Sequence, residues 1–182
     1  MKLNIITGAP SFGKNDVVNT IFSRISNNIN DRTNIVWVPE AMTVYMAQYS
    51  LNREFVENLS SIDETERDKI RKWNFDYYMN SLKALKEDTV IYFDRFVHDA
   101  IAFAEYEKRT IPNYIIDYIN EIKFELSVYL LSPPNDISSN NKQAQLSLYL
   151  KKCYQEHECN LFEVDYDTVE RRSDFILSQG LS

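Results

Sequence analysis

Glycine is scarce in this chain, and its placement constrains the fold more than any other feature. The 182 residues contain three glycines, and two of them, Gly8 and Gly13, lie in one short segment. This segment follows an apolar run at residues 2–7 and leads into a helical pattern that begins at Lys14. Glycine adopts positive φ readily and lets a backbone approach a phosphate closely. The spacing G-x-x-x-x-G-K between a strand and a helix therefore predicts a phosphate-binding loop.

We predict that nine consecutive residues form this site: Gly8, Ala9, Pro10, Ser11, Phe12, Gly13, Lys14, Asn15 and Asp16. Backbone N–H groups and the helix N-terminus face the anion, and Lys14 supplies a mobile cation. Asn15 stands where the motif has the Ser or Thr that binds Mg²⁺, and an amide oxygen is a weaker ligand. Asp16 would repel a triphosphate, and Phe12 adds bulk. Altered nucleotide or metal preference and loss of turnover both stay open as interpretations.

Strand and helix patterns alternate along the chain. Continuous apolar runs predict strands at 2–7, 35–38, 89–93, 126–131 and 161–164. Amphipathic patterns predict helices at 14–29, 41–60, 63–86, 97–107, 112–123, after residue 141 to about 155, and 167–177. Buried strands that alternate with helices are typical of a parallel sheet covered on both faces. We therefore expect one α/β domain over 1–182, with a five-stranded parallel sheet.

Charge and hydropathy narrow the function classes. The net charge is −7 with no basic stripe, so we do not expect a nucleic-acid partner. No apolar run approaches the roughly 18 residues that span a bilayer. The chain enters a strand at once, without the pattern of a signal peptide, so a cytoplasmic location is expected.

Histidine and cysteine are rare and give no strong signal. Cys153 and Cys159 flank His157, but a metal site would need a fourth ligand and standard spacing. We interpret the cysteines as reduced thiols of a cytosolic protein. His98 is interpreted as a partly exposed helix residue and is left out of the candidate catalytic set.

Acidic residues follow two of the predicted strands. Glu40, in Pro39-Glu40-Ala41, comes after the second strand, and Asp94-Arg95 closes the third. Ligands of parallel sheets lie outside these carboxyl ends. Glu40 is a candidate base or a helix cap, and Asp94 a candidate Mg²⁺ ligand. The fork of Arg95 suits a phosphate or carboxylate, although a surface ion pair is the alternative for this strand end.

Aromatic residues are concentrated in the two predicted helices that follow the second strand. They are Tyr45, Tyr49, Trp73, Tyr77 and Tyr78. A nucleoside base can stack on such rings. Aromatic residues at helical spacing are more often core, so we favour a core.

Taken together, these motifs resemble the small P-loop kinase-type fold. The resemblance covers residues 3–14, 36–41, 90–105, 124–134 and 160–177. The branch is the AAA-labelled ATPase domain similar to nicotinamide-riboside kinases of the NadR type and, more distantly, to thymidylate and deoxynucleoside kinases. The matching motifs are Gly8 through Lys14, Pro39-Glu40-Ala41, Asp94-Arg95 with Asp99 and Ala102, Val128 to Pro134, and Val169 to Ile176.

The resemblance implies a phosphotransferase that uses ATP or GTP with Mg²⁺ on a small nucleoside- or nucleotide-like acceptor. By analogy, Lys14 holds the β- and γ-phosphates, while Asn15 and Asp94 serve the metal. Glu40 is the candidate base, and Arg95 binds the substrate or the transferring phosphate. A homodimer is one candidate assembly.

One departure from the family favours a second hypothesis. Kinases of this type carry arginines after the fourth strand, but residues 135–152 contain only Lys142, Lys151 and Lys152 as cations. Lysine is a point charge, whereas an arginine supplied to the transition state contributes about 10³–10⁵ in rate. A catalytically impaired nucleotide-binding regulatory module is therefore the alternative to a kinase.

Overall fold

The computed structural model describes residues 2–27, 34–86, 89–133 and 141–181. Its contacts divide the chain into two compact units. One comprises Met1–Val38 with Lys86–Ser182, and the other is Pro39–Leu85. We call them the sheet unit and the helical unit and describe each by itself.

Five parallel strands form the centre of the sheet unit. They are β1 (Lys2–Thr7), β2 (Asn34–Val38), β3 (Thr89–Asp94), β4 (Leu126–Leu131) and β5 (Asn160–Val164), in the order β2-β3-β1-β4-β5. The register pairs Ile6 with Asp94 on one side and with Tyr129 on the other. The predicted five-stranded parallel sheet is confirmed.

Helices cover both faces of this sheet. Residues Leu3, Asn4, Ile5 and Ile6 point alternately to opposite faces of β1, yet all are fully buried. The helices of the described chain are α1 (Lys14–Asn27), α2 (Ala41–Gln48), α3 (Arg53–Glu57), α4 (Glu64–Lys83), α5 (Val97–Tyr106), α6 (Asn113–Glu121), α7 (Lys142–Glu156) and α8 (Val169–Gly180). Within the sheet unit, α1 packs on α8, and α5 packs on α6 and α7. No helix in the described ranges is long and apolar enough to cross a membrane.

The predicted single helix over 41–60 is wrong. The segment forms α2, α3 and a short 3₁₀ helix at Leu59–Ser61. Ser50 adopts φ +54° after the end of α2, and Asn52 accepts a hydrogen bond from the Phe55 N–H to start α3. Polar side chains of this kind favour caps over helix interiors, which explains the break. The predicted cap of α4 is confirmed, because Asp63 accepts a hydrogen bond from the Glu66 N–H at 3.0 Å.

An aromatic cluster packs the helical unit. The Tyr45 ring meets Trp73 edge-on with centroids 5.2 Å apart, and Trp73 stacks on Tyr77 at 5.6 Å. The Tyr78 hydroxyl accepts a hydrogen bond from the Ala41 N–H at 3.2 Å. The burial of Tyr78 supports its predicted core role, whereas Tyr45, Trp73 and Tyr77 are half-buried. Tyr49 has about half of its surface exposed.

Gly180, in the last turn of α8, lies against the ring of Tyr92. A Cβ at Gly180 would lie 2.9 Å from Tyr92 Cζ and closer still to the hydroxyl, which is buried without a hydrogen-bond partner. We expect Gly180→Ala to lower the free energy of unfolding by about 1–3 kcal/mol, because core overpacking is destabilising. Urea unfolding measures the loss.

Tyr92→Phe is the matched control for this contact. It removes the unpaired hydroxyl, so we expect it to be neutral or stabilising alone and to recover part of the loss in the double variant. Full tolerance of Gly180→Ala would contradict the tight packing.

Candidate functional site

The loop between β1 and α1 uses its glycines in two different ways. Gly13 adopts φ +75°, as the sequence predicts, but Ser11 also adopts positive φ, at +70°. At Gly8 the requirement is space, because an added Cβ would lie 3.1 Å from the Cβ of Leu131. The loop therefore turns tightly against the end of β4.

Phe12 is buried in this loop, with 1% of its surface exposed. The Arg172 guanidinium donates hydrogen bonds to the carbonyl oxygens of Phe12 at 2.8 Å and Tyr166 at 2.6 Å. A longer bond of 3.4 Å reaches the carbonyl of Ser132, after β4. Arg172 thus fixes the loop backbone from α8. Sequence analysis missed this role, because the Phe12 carbonyl lies 160 residues away from Arg172 in sequence.

Lys14 and Asp94 form a buried ion pair at the base of the loop. Lys14 begins α1 and Asp94 ends β3, so the pair joins two neighbouring parts of the sheet unit. The Lys14 ammonium also lies 3.4 Å from Asn15 Oδ1. The sequence-predicted residues Lys14, Asn15 and Asp94 are therefore brought together.

The same contacts test whether Mg²⁺ suits this place. The oxygens of Asp94 and Asn15 both approach one cation, the Lys14 ammonium. Carboxylate and amide oxygens are hard ligands of the kind that Mg²⁺ accepts, with phosphate and water completing its shell. The residues present therefore fit the ion.

The first turn of α1 is exposed beyond Lys14. Asn15 and Asp16 are both exposed, and Asp16 lies where the positive end of the helix dipole stabilises a carboxylate. Solvent at this position screens repulsion between Asp16 and an anion.

Arg95 lies directly after Asp94 in a left-handed conformation, with φ +65°. Its guanidinium donates to Asp99 Oδ2 at 2.9 Å and lies over the ring of Phe103 at 5.3 Å. Arg95 is buried, so its pairing is internal to the sheet unit and differs from the surface ion pair considered above.

Glu40 belongs to the helical unit and is the residue before α2. Its side chain makes no capping hydrogen bond to that helix, so the structure does not support the alternative of a helix cap. Its role as a base stays a prediction.

Two lysines of α7 are engaged with carboxylates. Lys151 pairs with Glu163 at 2.7 Å, and Lys152 pairs with Glu105 at 3.3 Å. Lys152 is exposed, and Lys151 is half-buried. Lys142 is the first residue of α7 and is exposed.

A cleft of about 580 Å³ opens beside the loop. Its lining comes from the loop, the end of β4 and the β5–α8 connection, and includes Phe12, Tyr166, Asp167 and Arg171. Arg171 lies over the Tyr166 ring and pairs with Asp167 at 3.0 Å. The cleft therefore combines an aromatic surface with charged groups.

A cluster of His98, Cys153 and Tyr154 lies where α5 packs on α7. Its burial shows that the interpretation of His98 is wrong. His98 is 1% exposed instead of partly exposed, and its ring stacks on Tyr154 with centroids 5.0 Å apart. Cys153 Sγ donates to the His98 carbonyl at 3.4 Å. Both cysteines are free thiols, and burial raises the pKa of Cys159 to about 11.

His98 makes the stability of the protein depend on pH. Burial and then the charge of His157 lower the pKa of His98 to about 3, whereas an unfolded histidine titrates near 6.5. Between these values the unfolded state binds the proton, so stability falls as pH falls from about 6.5 towards 3. We expect a loss of about 2 kcal/mol between pH 6.5 and pH 5. Urea unfolding across this range measures it.

His98→Asn should remove most of this pH dependence. His157→Asn is the matched control, because it changes the other histidine of the chain and should retain most of the slope. Equal slopes in the wild type and His98→Asn would contradict the assignment.

Together, the parallel sheet and the loop between β1 and α1 define a P-loop NTPase with a kinase-like α/β fold. A family model described as an AAA domain matches residues 4–172. The chain therefore belongs to this AAA domain family.

A solved structure supports the same fold. The thymidylate kinase from Ehrlichia chaffeensis is 12% identical to this chain, with a TM-score of 0.63. The match covers 100% of this chain and 98% of the kinase chain. At this identity the likeness shows the fold alone. No curated protein matches the sequence.

Proposed function

We propose that this protein binds ATP or GTP with Mg²⁺ and transfers a phosphoryl group to a small nucleoside- or nucleotide-like acceptor. The observation that carries the proposal is the buried pair of Lys14 and Asp94 at the base of the β1–α1 loop. A cation and a carboxylate there suit a phosphate chain and its metal. The resemblance to kinases of small nucleosides supports the acceptor class.

Each loop residue has a distinct part in this proposal. The backbone from Gly8 to Gly13 binds the phosphates, and Lys14 exchanges Asp94 for the β- and γ-phosphates. Asn15 and Asp94 would hold Mg²⁺, which when bound would neutralise charge that develops on the phosphates. Because Lys14 leaves the Asp94 carboxylate to reach the phosphates, the loss of this ion pair costs part of the binding energy.

The cleft beside the loop supports a place for the nucleotide base. Its volume of about 580 Å³ is in the range of small-molecule sites, and its lining includes the Tyr166 ring with the Arg171 guanidinium over it. The resemblance assigns Arg171 to the base side of the site, so we do not propose it as a replacement for the arginines absent from residues 135–152.

Arg95 and Glu40 have separate roles in the proposal. The buried contact of Arg95 with Asp99 supports a role in positioning Asp94, ahead of direct contact with phosphate. Glu40 is proposed as the base that accepts a proton from the acceptor hydroxyl. A cytoplasmic location and a homodimer stay predictions from the sequence.

The alternative is a nucleotide-binding regulatory module with little or no turnover. Asn15 at the metal position and the engagement of Lys151 and Lys152 by carboxylates favour it. Both functions need nucleotide binding and differ in turnover.

Titration calorimetry with ATP and GTP, each with and without Mg²⁺, tests the part that both functions share. We expect micromolar affinity for one of the nucleotides and an increase in affinity with Mg²⁺. Absence of binding to both nucleotides would overturn the proposed function. A screen of nucleosides as acceptors, with detection of the phosphorylated product, then separates the kinase from the module.

A further inference from the structure

Asp99 is a buried carboxylate that receives three side-chain hydrogen bonds. The donors are Thr7 Oγ1 at 2.7 Å, Arg95 Nη1 at 2.9 Å and Tyr154 Oη at 2.5 Å. Asp99 is 3% exposed, so these donors replace water around its charge. A buried carboxylate is stable only when it is paired and hydrogen-bonded in this way.

Two of the donors adjoin the proposed phosphate and metal site. Thr7 is the last residue of β1 and directly precedes Gly8. Arg95 directly follows Asp94, and its N–H donates to the Ile6 carbonyl at 3.0 Å. Asp99 therefore fixes the position of the start of the phosphate loop relative to the end of β3.

The third donor comes from the last turn of α7. Tyr154 is fully buried, and burial, followed by the charge of Asp99, raises the pKa of its phenol well above 10. The phenol stays protonated and donates to the carboxylate. Stacking of Tyr154 on His98 and the bond from Cys153 Sγ to the His98 carbonyl add to the contact between α7 and α5.

We propose that Asp99 is a positioning residue that links helix α7, through Tyr154, to the phosphate loop at Thr7 and to Asp94 through Arg95. Loss of the Tyr154 bond leaves the carboxylate under-solvated, and Thr7 and Arg95 then rearrange around it. Nucleotide affinity thus depends on the packing of α7. The expected effect on nucleotide affinity rests on the proposed function, whereas the expected effect on the structure of the phosphate loop does not.

Tyr154→Phe against Tyr129→Phe is the test. Both variants remove one hydroxyl from a buried tyrosine of the sheet unit, but the Tyr129 hydroxyl bonds to Asn4 Oδ1 at 3.3 Å, away from Asp99. Both should lower the thermal midpoint. Only Tyr154→Phe should raise hydrogen-exchange rates of the amides from Gly8 to Lys14, by about tenfold, in protein without nucleotide. Only this variant should weaken nucleotide binding, by about fivefold or more.

The outcomes separate the two proposals. Equal loop exchange in Tyr154→Phe, Tyr129→Phe and the wild type would overturn the role of Asp99, whatever the affinity. A wild type that binds neither ATP nor GTP would overturn the proposed function, and the exchange rates would still decide on Asp99. Asp99→Asn should raise loop exchange more than Tyr154→Phe, with partial recovery in Asp99→Glu. If Asp99→Asn does not fold, the comparison of the two tyrosine variants decides.

Discussion

Lys14→Ala is expected to abolish binding of ATP and GTP in titration calorimetry. Hydrogen bonds to a charged group contribute about 1.5–3 kcal/mol, so loss of this ammonium weakens affinity by roughly 10- to 160-fold, which takes micromolar binding towards the limit of calorimetric detection. Lys152→Ala is the matched control, because this lysine of the same unit is exposed and pairs with Glu105 and Glu156. Unchanged affinity in Lys14→Ala would show that the site is assigned wrongly.

The same substitution also changes stability, for a reason that does not involve a ligand. Lys14 and Asp94 have side-chain exposures of 6% and 11%, so Lys14→Ala removes the ammonium from a buried carboxylate. Removal of one partner of a buried pair costs about 3–5 kcal/mol. We expect urea unfolding to show a loss of this order in Lys14→Ala.

A double variant separates the effect on stability from the effect on binding. In Lys14→Ala/Asp94→Asn neither charge is left alone, so part of the lost stability should return while nucleotide binding stays absent. Stability of the double variant equal to the sum of the two single effects would mean that the pair is not coupled. If Lys14→Ala is too unstable for the binding measurement, the more stable double variant can be used in its place.

The architecture could be predicted from the sequence because its signals are local. Buried parallel strands appear as continuous apolar runs, and the phosphate loop appears as two glycines between a strand and a helix. Glycine scarcity made that signal stronger. The cap residue Asp63 was found for the same reason, because a cap and its target lie within one turn.

The missed features depend on residues far apart in sequence. Asp99 receives a hydrogen bond from Tyr154 across 55 positions, and Arg172 reaches the Phe12 carbonyl across 160. No local sequence pattern predicts hydrogen-bond partners that lie so far apart in the chain. His98 was interpreted as partly exposed because no other sequence signal pointed to it, whereas packing of α7 on α5 buries it. The break between α2 and α3 was missed because their apolar pattern continues across it.

Asn15→Thr tests whether the proposed metal position limits turnover. Asn15 is exposed at the start of α1, and its amide oxygen lies 3.4 Å from the Lys14 ammonium. Threonine removes this amide and brings a hydroxyl on a shorter arm, which is the group that phosphate loops use for Mg²⁺. We expect Mg²⁺-dependent release of phosphate, or transfer to an acceptor, to rise by about tenfold, an effect of about 1.4 kcal/mol on the barrier.

Asn19→Thr is the control, since Asn19 is exposed one turn later on α1 and the same change of residue type leaves the loop alone. A gain in Asn15→Thr over a nearly inactive wild type supports a kinase framework in which residue 15 suppresses turnover. Robust turnover of the wild type excludes the regulatory module. Nucleotide binding without turnover in both proteins favours the module, because the metal position is then not what limits the reaction. The absence of arginine from residues 135–152 then becomes the cause to test, by placing arginine at Lys142, which is exposed at the start of α7.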